Sequence, residues 1–326
     1  MKEQAKLSLF VPCYNEVGNV TAFYEAAIEA FSDMLPSLEL VFVDDGSRDG
    51  TYEKLKNIYA GAAGVCRVKV VRFSRNFGKE AAMYAGLQHA AGTYLCLIDA
   101  DLQQPPAVAR AMMAVVDEKP AVDCVAAYQA VRHEGRFMSF MKKAFYRVIN
   151  GMSEVDFVSG ASDFRVFRRN VADAILMLQE KYRFSKGIFS WIGFETEYIP
   201  YEAQKRFSGE AKWSFRKLMK YAVGGITAFS VTPLRVAAHI GAFFSAASLL
   251  YLLVVLAQKL IWSIPVPGYA TLVCLILLLG GLQLVMLGII GEYLGKVYIE
   301  EKNRPIYIAK AVLGEDEDDE AADTRT

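Results

Sequence analysis

Two long apolar stretches, residues 236–261 and 269–290, constrain this chain more than any other feature. Each is long enough for a helix to cross a hydrocarbon core about 30 Å thick. The first is broken only by His239, Gln258 and Lys259 near its ends and the second only by Gln283, with Pro265, Val266, Pro267 and Gly268 as a short turn between them. Lipid offers no partner to backbone N–H and C=O groups, so the pair reads as a transmembrane helical hairpin. Lys212, Arg216, Lys217, Lys220 and Arg235 precede it, and Lys296, Lys302, Arg304 and Lys310 follow it. The positive-inside rule therefore places both flanks and both termini in the cytoplasm, in a multi-pass protein of the inner (plasma) membrane.

The hairpin divides the chain. Residues 1–213 mix charge and apolar side chains as a soluble domain does, and 235–295 hold the two spans. Between them Phe215, Leu218, Met219, Ala222, Ile226 and Phe229 recur at near-helical spacing with Arg216, Lys217 and Lys220 interspersed. This predicts an amphipathic juxtamembrane helix within 214–234, lying on the bilayer or packed as an ordinary surface helix. Residues 296–326 read as a tail whose acidic run, Glu315 to Glu320, is expected to be solvated and disordered. Gly280, Gly281 and Gly288 would let spans of separate copies pack closely, which allows a homo-oligomer.

Charge and cysteine usage exclude several classes. The 36 basic and 36 acidic residues cancel, so nothing favours a nucleic-acid partner. Five cysteines without CxxC spacing and three dispersed histidines argue against a zinc site, a disulfide framework or a Ser-His-Asp triad. The polar opening 1–6 is not expected to act as a cleavable signal.

Within the first 120 residues, β-rich apolar runs at 7–11, 38–43, 68–73 and 93–98 alternate with helical patterns at 19–31, 51–59, 79–90 and 105–116. That alternation predicts an α/β, Rossmann-like, mostly parallel sheet with helices on both faces. Ligands of such sheets bind beyond the carboxyl ends of the strands. Polar clusters stand at those ends: Tyr14-Asn15-Glu16, Asp44-Asp45-Gly46-Ser47, Ser74-Arg75-Asn76 and Asp99-Ala100-Asp101. No GxGxxG follows the first strand and no GxxxxGK[ST] occurs, so hydride transfer and ATP hydrolysis lose their main support. A diphosphate would instead need a metal ion and cationic side chains. Carboxylates one residue apart at a strand end suit one hard cation, Mg2+ or Mn2+, and leave positions for phosphate oxygens.

The segments Val11-Pro12-Cys13-Tyr14-Asn15-Glu16, Val43-Asp44-Asp45-Gly46-Ser47, Asn76-Phe77-Gly78-Lys79 and Asp99-Ala100-Asp101-Leu102-Gln103 resemble, in order and spacing, family 2 glycosyltransferases. The polyprenyl-phosphate branch, which includes dolichyl-phosphate mannosyltransferases and bactoprenol glucosyltransferases, is the most similar. Asp163-Phe164-Arg165, the run from Arg206 to Trp213 and the two-helix anchor extend the resemblance over nearly the whole chain. The resemblance implies a GT-A-type domain in which Pro12, Tyr14, Glu16 and Asp45 line the nucleoside pocket and Lys79 approaches nucleotide or sugar. Asp99 and Asp101 would hold the metal, Gln103 would face sugar or acceptor, and Arg206 and Lys212 would close over the diphosphate. Ala211 stands where the family usually has serine, so one hydroxyl contact is missing from that loop.

The implied reaction is inverting transfer of a sugar, glucose from UDP-glucose by preference, to undecaprenyl or another polyprenyl phosphate for cell-envelope glycan modification. GDP-mannose and UDP-N-acetyl sugars are alternative donors. Arg132 and Arg136, with Lys142, Lys143 and Arg165 nearby in sequence, are candidates for the acceptor phosphate, because arginine pairs its planar fork with phosphate oxygens. Asp163 is a candidate base, or else orients the acceptor, since a phosphate monoester is already largely ionised near pH 7. A processive polysaccharide synthase would need a QxxRW motif, which is absent, and a soluble nucleotidyltransferase would lack the hairpin. A lipid-binding scaffold without chemistry is the rival of another class.

Overall fold

A computed structural model of the chain describes residues 5–129, 161–204, 230–262 and 268–314. Strands β1 (Leu7–Cys13), β2 (Leu38–Asp44), β3 (Arg67–Phe73) and β4 (Tyr94–Leu97) alternate with helices α1 (Val20–Ala30), α2 (Thr51–Gly61), α3 (Lys79–His89) and α4 (Pro106–Glu118). β5 (Cys124–Gln129), β6 (Ala161–Arg168), α5 (Arg169–Met177), α6 (Ser185–Trp191) and β7 (Thr196–Tyr201) complete the domain before the hairpin. All seven residues of β2 are buried, including Glu39 and Asp44, so its apolar positions Leu38, Leu40, Val41, Phe42 and Val43 face both sides of the sheet.

The eight strands among the described residues form one sheet in the order β7-β5-β6-β4-β1-β2-β3-β8. β1 pairs in parallel with β2 and β4, and β2 with β3, so the predicted parallel sheet is present in this half. Beyond β4 the sheet is mixed: β6 runs antiparallel to β4 and β5, while β5 and β7 are parallel. Alternate side chains supply two cores. Leu9, Phe23, Leu40, Phe42 and Val166 pack on one face with α1, α2 and α4; Phe10, Val41, Val43, Phe167 and Phe189 pack on the other with α3, α5 and α6. Fully burying each such side chain contributes about 1.5–3 kcal/mol. Gly86 permits the close seating of α3, since a Cβ there would lie 2.7 Å from the Phe10 ring.

The two apolar stretches are helices α7 (Thr232–Trp262) and α8 (Tyr269–Glu301). Each contains a 24-residue segment long and apolar enough to cross a membrane, and side chains such as Leu249, Leu250, Ile276 and Leu284 are exposed. The 33 residues of α8 extend roughly 50 Å at 1.5 Å per residue. That exceeds the about 30 Å of hydrocarbon, so the helix continues past the apolar stretch as a stalk.

Three boundaries differ from expectation. Residues 232–234 belong to α7 and not to the juxtamembrane segment, most of which lies outside the described residues. Helix α8 runs eleven residues beyond position 290, because Glu292, Lys296, Glu300 and Glu301 end the hydropathy and not the helix. The segment read as a tail contains strand β8 (Ala309–Leu313), which pairs antiparallel with β3 and closes that edge of the sheet. The acidic run 315–320 lies outside the described residues.

Candidate active site

The loops after β1, β2 and β3 are tied to one another. Asn15, at φ 54°, donates its N–H to Ser47 Oγ at 2.9 Å, and its Oδ1 accepts the Arg48 N–H at 3.0 Å. Glu16 N–H bonds Thr51 Oγ1 at 2.9 Å and Val17 N–H bonds Asp49 Oδ2 at 3.2 Å. Gly46, at φ 66°, meets the backbone of Arg75, where a Cβ would fall 2.5 Å from a carbonyl carbon. Pro12 stands opposite Val43 in the ladder, Glu16 accepts from Asn19 Nδ2, and the Tyr14 ring is 37% exposed at the strand ends.

Asp45 is buried at the centre of this arrangement. Its Oδ1 accepts the Phe77 N–H at 2.6 Å and its Oδ2 the Gly78 N–H at 2.9 Å. Burial pushes the carboxyl up to about 6, against the lowering effect of those two bonds. Asp45 thus stands just past the carboxyl end of β2 with both its oxygens committed to anchoring the 74–78 loop.

The second half of the site is made by β4 and its antiparallel neighbour. Leu97 pairs with Arg165; extended two residues past the end of β4 and two residues back along antiparallel β6, the same register brings Asp99 toward Asp163. Lys79, first residue of α3, joins them: its Nζ lies 2.6 and 2.9 Å from the two Asp99 oxygens and 3.8 Å from Asp163 Oδ2. Burial opposes the lysine's charge, but the carboxylates outweigh it and hold the ammonium above its ordinary value. Burial would likewise raise Asp163, and Lys79, Lys186 and Arg165 outweigh it, so its carboxyl stays below the usual range. An ionised Asp163 is a poor base for a proton and a good orienting group.

The Asp99-Ala100-Asp101 turn is braced by its neighbours. Asp99 N–H donates to Gln104 Oε1 at 3.0 Å, Asp101 Oδ1 accepts the Gln103 N–H at 3.1 Å, and Leu102 takes φ 61° to complete the turn. The Gln103 carbonyl accepts the Gln204 N–H at 3.2 Å, so the chain leading toward Arg206 is fastened beside the acidic pair. Arg165 is buried and stacks on Phe189 at 3.9 Å; its Nε and Asp163 Oδ1 are both buried without a hydrogen-bond partner. Arg132, Arg136, Lys142, Lys143, Arg206 and Lys212 lie outside the described residues.

Two residues went unnoticed in the sequence. Glu80 accepts from the N–H and Oγ–H of Ser185, and Lys186 contributes charge to Asp163. Both act across more than 20 residues, and no local pattern marks them. Among the described residues no group of three or more His, Cys, Asp or Glu side chains could hold a metal. Asp99 and Asp101 offer oxygen donors only, a set that fits Mg2+ or Mn2+ completed by phosphate oxygens and water. Lys79 meanwhile supplies the positive charge on Asp99.

The sequence matches the description Glycosyl transferase family 2 over residues 8–176 and GtrB C-terminal hairpin over 232–297. CsbB of Bacillus subtilis, which carries a provisional glycosyltransferase name, is 39% identical over 94% of this chain and 92% of its own. The SfII prophage-derived bactoprenol glucosyl transferase of Shigella flexneri is also 39% identical, over 94% of this chain and 97% of its own. A crystal structure of mannosyl-3-phosphoglycerate synthase from Rubrobacter xylanophilus is similar at TM-score 0.46 and 19% identity, covering 69% of this chain and 72% of that one.

Proposed function

Because the chain belongs to glycosyl transferase family 2, we propose that it transfers glucose from UDP-glucose to a membrane polyprenyl phosphate, undecaprenyl phosphate by preference. The observation that carries this reading is the union of two parts: a strand-end acidic pair in a family 2 domain, and an apolar hairpin after which the chain returns to the same sheet. The return of β8 supports a hairpin that enters and leaves on one side, and the flanking lysines and arginines favour the cytoplasmic side of the plasma membrane.

In this reading Pro12, Tyr14 and Glu16 border the nucleoside and Asp45 fixes the loop beside it. Asp99 and Asp101 hold a divalent cation, which would neutralise the diphosphate and stabilise it on departure. Lys79 stands ready to share that negative charge, with Arg206 and Lys212 covering the diphosphate. Arg132, Arg136 and Arg165 receive the acceptor phosphate, and Gln103 and Asp163 orient sugar and acceptor. An ionised phosphate oxygen forms the new bond to the anomeric carbon, UDP leaves with the electron pair of the old one, and the configuration inverts. With a second pKa of about 6 the phosphate needs no strong base. Association of copies through Gly280, Gly281 and Gly288 belongs to the same reading and is measured by mass in detergent.

Incubating the full chain with polyprenyl phosphate, Mn2+ and a panel of UDP-glucose, UDP-N-acetyl sugars and GDP-mannose tests it. A lipid product with the mass of a glucosyl polyprenyl phosphate is expected. Product from GDP-mannose alone would overturn the donor, and neither product nor donor hydrolysis would leave the scaffold reading standing.

A further inference from the structure

The stalk of α8 ends on the catalytic domain at one acceptor. Glu300 Oε1 takes two successive backbone N–H groups, Lys181 at 2.7 Å and Tyr182 at 3.2 Å. Both belong to the loop 178–184 between α5 and α6. Two further contacts frame this dock: Lys181 Nζ donates to Asn303 Oδ1 at 3.2 Å, and Lys296 Nζ lies 5.3 Å over the Tyr182 ring. An acidic side chain at the end of a membrane helix is doing what a helix cap does, for a loop roughly 120 residues earlier.

The loop leads to the Asp99 and Asp163 carboxylates. Next after Tyr182, Arg183 stacks over Tyr84 at 4.6 Å and donates to the Leu178 carbonyl, which closes the loop on itself and on α3. Ser185 then gives its N–H and Oγ–H to Glu80. Glu80 is covalently next to Lys79, which holds Asp99 at 2.6 Å and stands 3.8 Å from Asp163. Every link is a hydrogen bond, an ion pair, a ring contact or a peptide bond.

We propose that Glu300 is a positioning residue of the active site: by accepting the Lys181 and Tyr182 N–H groups it fixes the loop that sets Lys79 against Asp99 and Asp163. The hairpin is then part of the catalytic apparatus as well as its anchor. This rests on the reading of Asp99 as the metal-holding carboxylate. The nucleoside loops around Asp45 are not in the chain of contacts, so nucleoside binding stays while metal-dependent turnover falls.

The test uses full-length Glu300→Asp and Glu300→Gln in detergent, because aspartate keeps the charge and loses the reach while glutamine keeps the reach and an acceptor oxygen. The expected result is about a tenfold loss of kcat in Glu300→Asp, from misplacement at the site, with unchanged affinity for uridine and near wild-type behaviour in Glu300→Gln. Amide hydrogen exchange should quicken in peptides covering 178–186 and 79–84 in Glu300→Asp alone. Unchanged kcat in Glu300→Asp, equal loss in both variants, or faster exchange confined to 178–186 would overturn the proposal. If wild type makes no glycolipid, the functional reading fails, and the exchange pattern still decides the role of Glu300.

Discussion

Asp45 and Asp99 stand at the ends of strands on either side of β1, yet they are held by different forces. Asp45 is fastened by two backbone N–H groups, which are part of the fold and cannot leave. Asp99 is fastened by one lysine side chain, shared with Asp163. A carboxylate held by backbone builds a rigid pocket before any ligand arrives. One compensated by a mobile cation can exchange that cation for another, which is what a metal-diphosphate site requires.

The sharpest way to break this contrast is to remove the acidic pair. Asp99→Ala or Asp101→Ala should cut Mn2+-dependent transfer by about a thousandfold or more, with the fold intact by circular dichroism. A variant retaining a tenth of wild-type turnover would end the assignment. Next in size is a pH effect at Asp45. Its folded pKa, about 6, lies above the unfolded carboxylate value. Its contribution to stability is therefore complete below about pH 4 and lost as pH rises through about 6, on the order of 2–3 kcal/mol. In Asp45→Asn that decline should vanish, because the amide is neutral at every pH as the protonated acid is, so wild type should lose stability relative to the variant as pH rises from 4 to 7 in thermal melts; a constant gap across that range would contradict it.

Lys79→Met leaves two partly exposed carboxylates facing each other. Metal-free stability should fall by about 1–3 kcal/mol, less than for a fully buried pair. Added Mn2+ should then raise the melting temperature more in the variant than in wild type, and equal shifts would show that lysine and metal do not compete. Smallest is Tyr307→Phe, at the far edge of the sheet. It keeps the stack on Phe73 at 4.8 Å and loses the hydroxyl contacts to His89 and Gln88, a cost of about 1 kcal/mol with no change in KM for donor.

The Asp45 side was readable in the sequence and the Asp163 side was not, for one physical reason. Each of the first four strands carries its own apolar run, followed at once by its polar turn and helix, so local order announces the parallel half. The meeting of Asp163 with Asp99 depends on an antiparallel register between segments about 65 residues apart, and Glu80 reaches Ser185 across 105. β8 escaped notice because five residues, Ala-Lys-Ala-Val-Leu, beside an acidic run carry too little hydrophobic pattern of their own. The stalk of α8 was missed because hydropathy reports lipid contact, whereas helix propensity continues through glutamate and lysine.

The position of β8 has a consequence for biosynthesis. Its partner β3 ends at Phe73, yet β8 ends roughly 240 residues later, after both apolar helices. At about 5–20 residues per second the ribosome takes some tens of seconds to bridge that gap. Throughout it the outer edge of β3 waits unpaired, and its last hydrogen bonds form only once the hairpin has been made. The sheet is thus finished by a strand that the membrane segments deliver, and a chain stalled before them carries an open edge that marks it as incomplete.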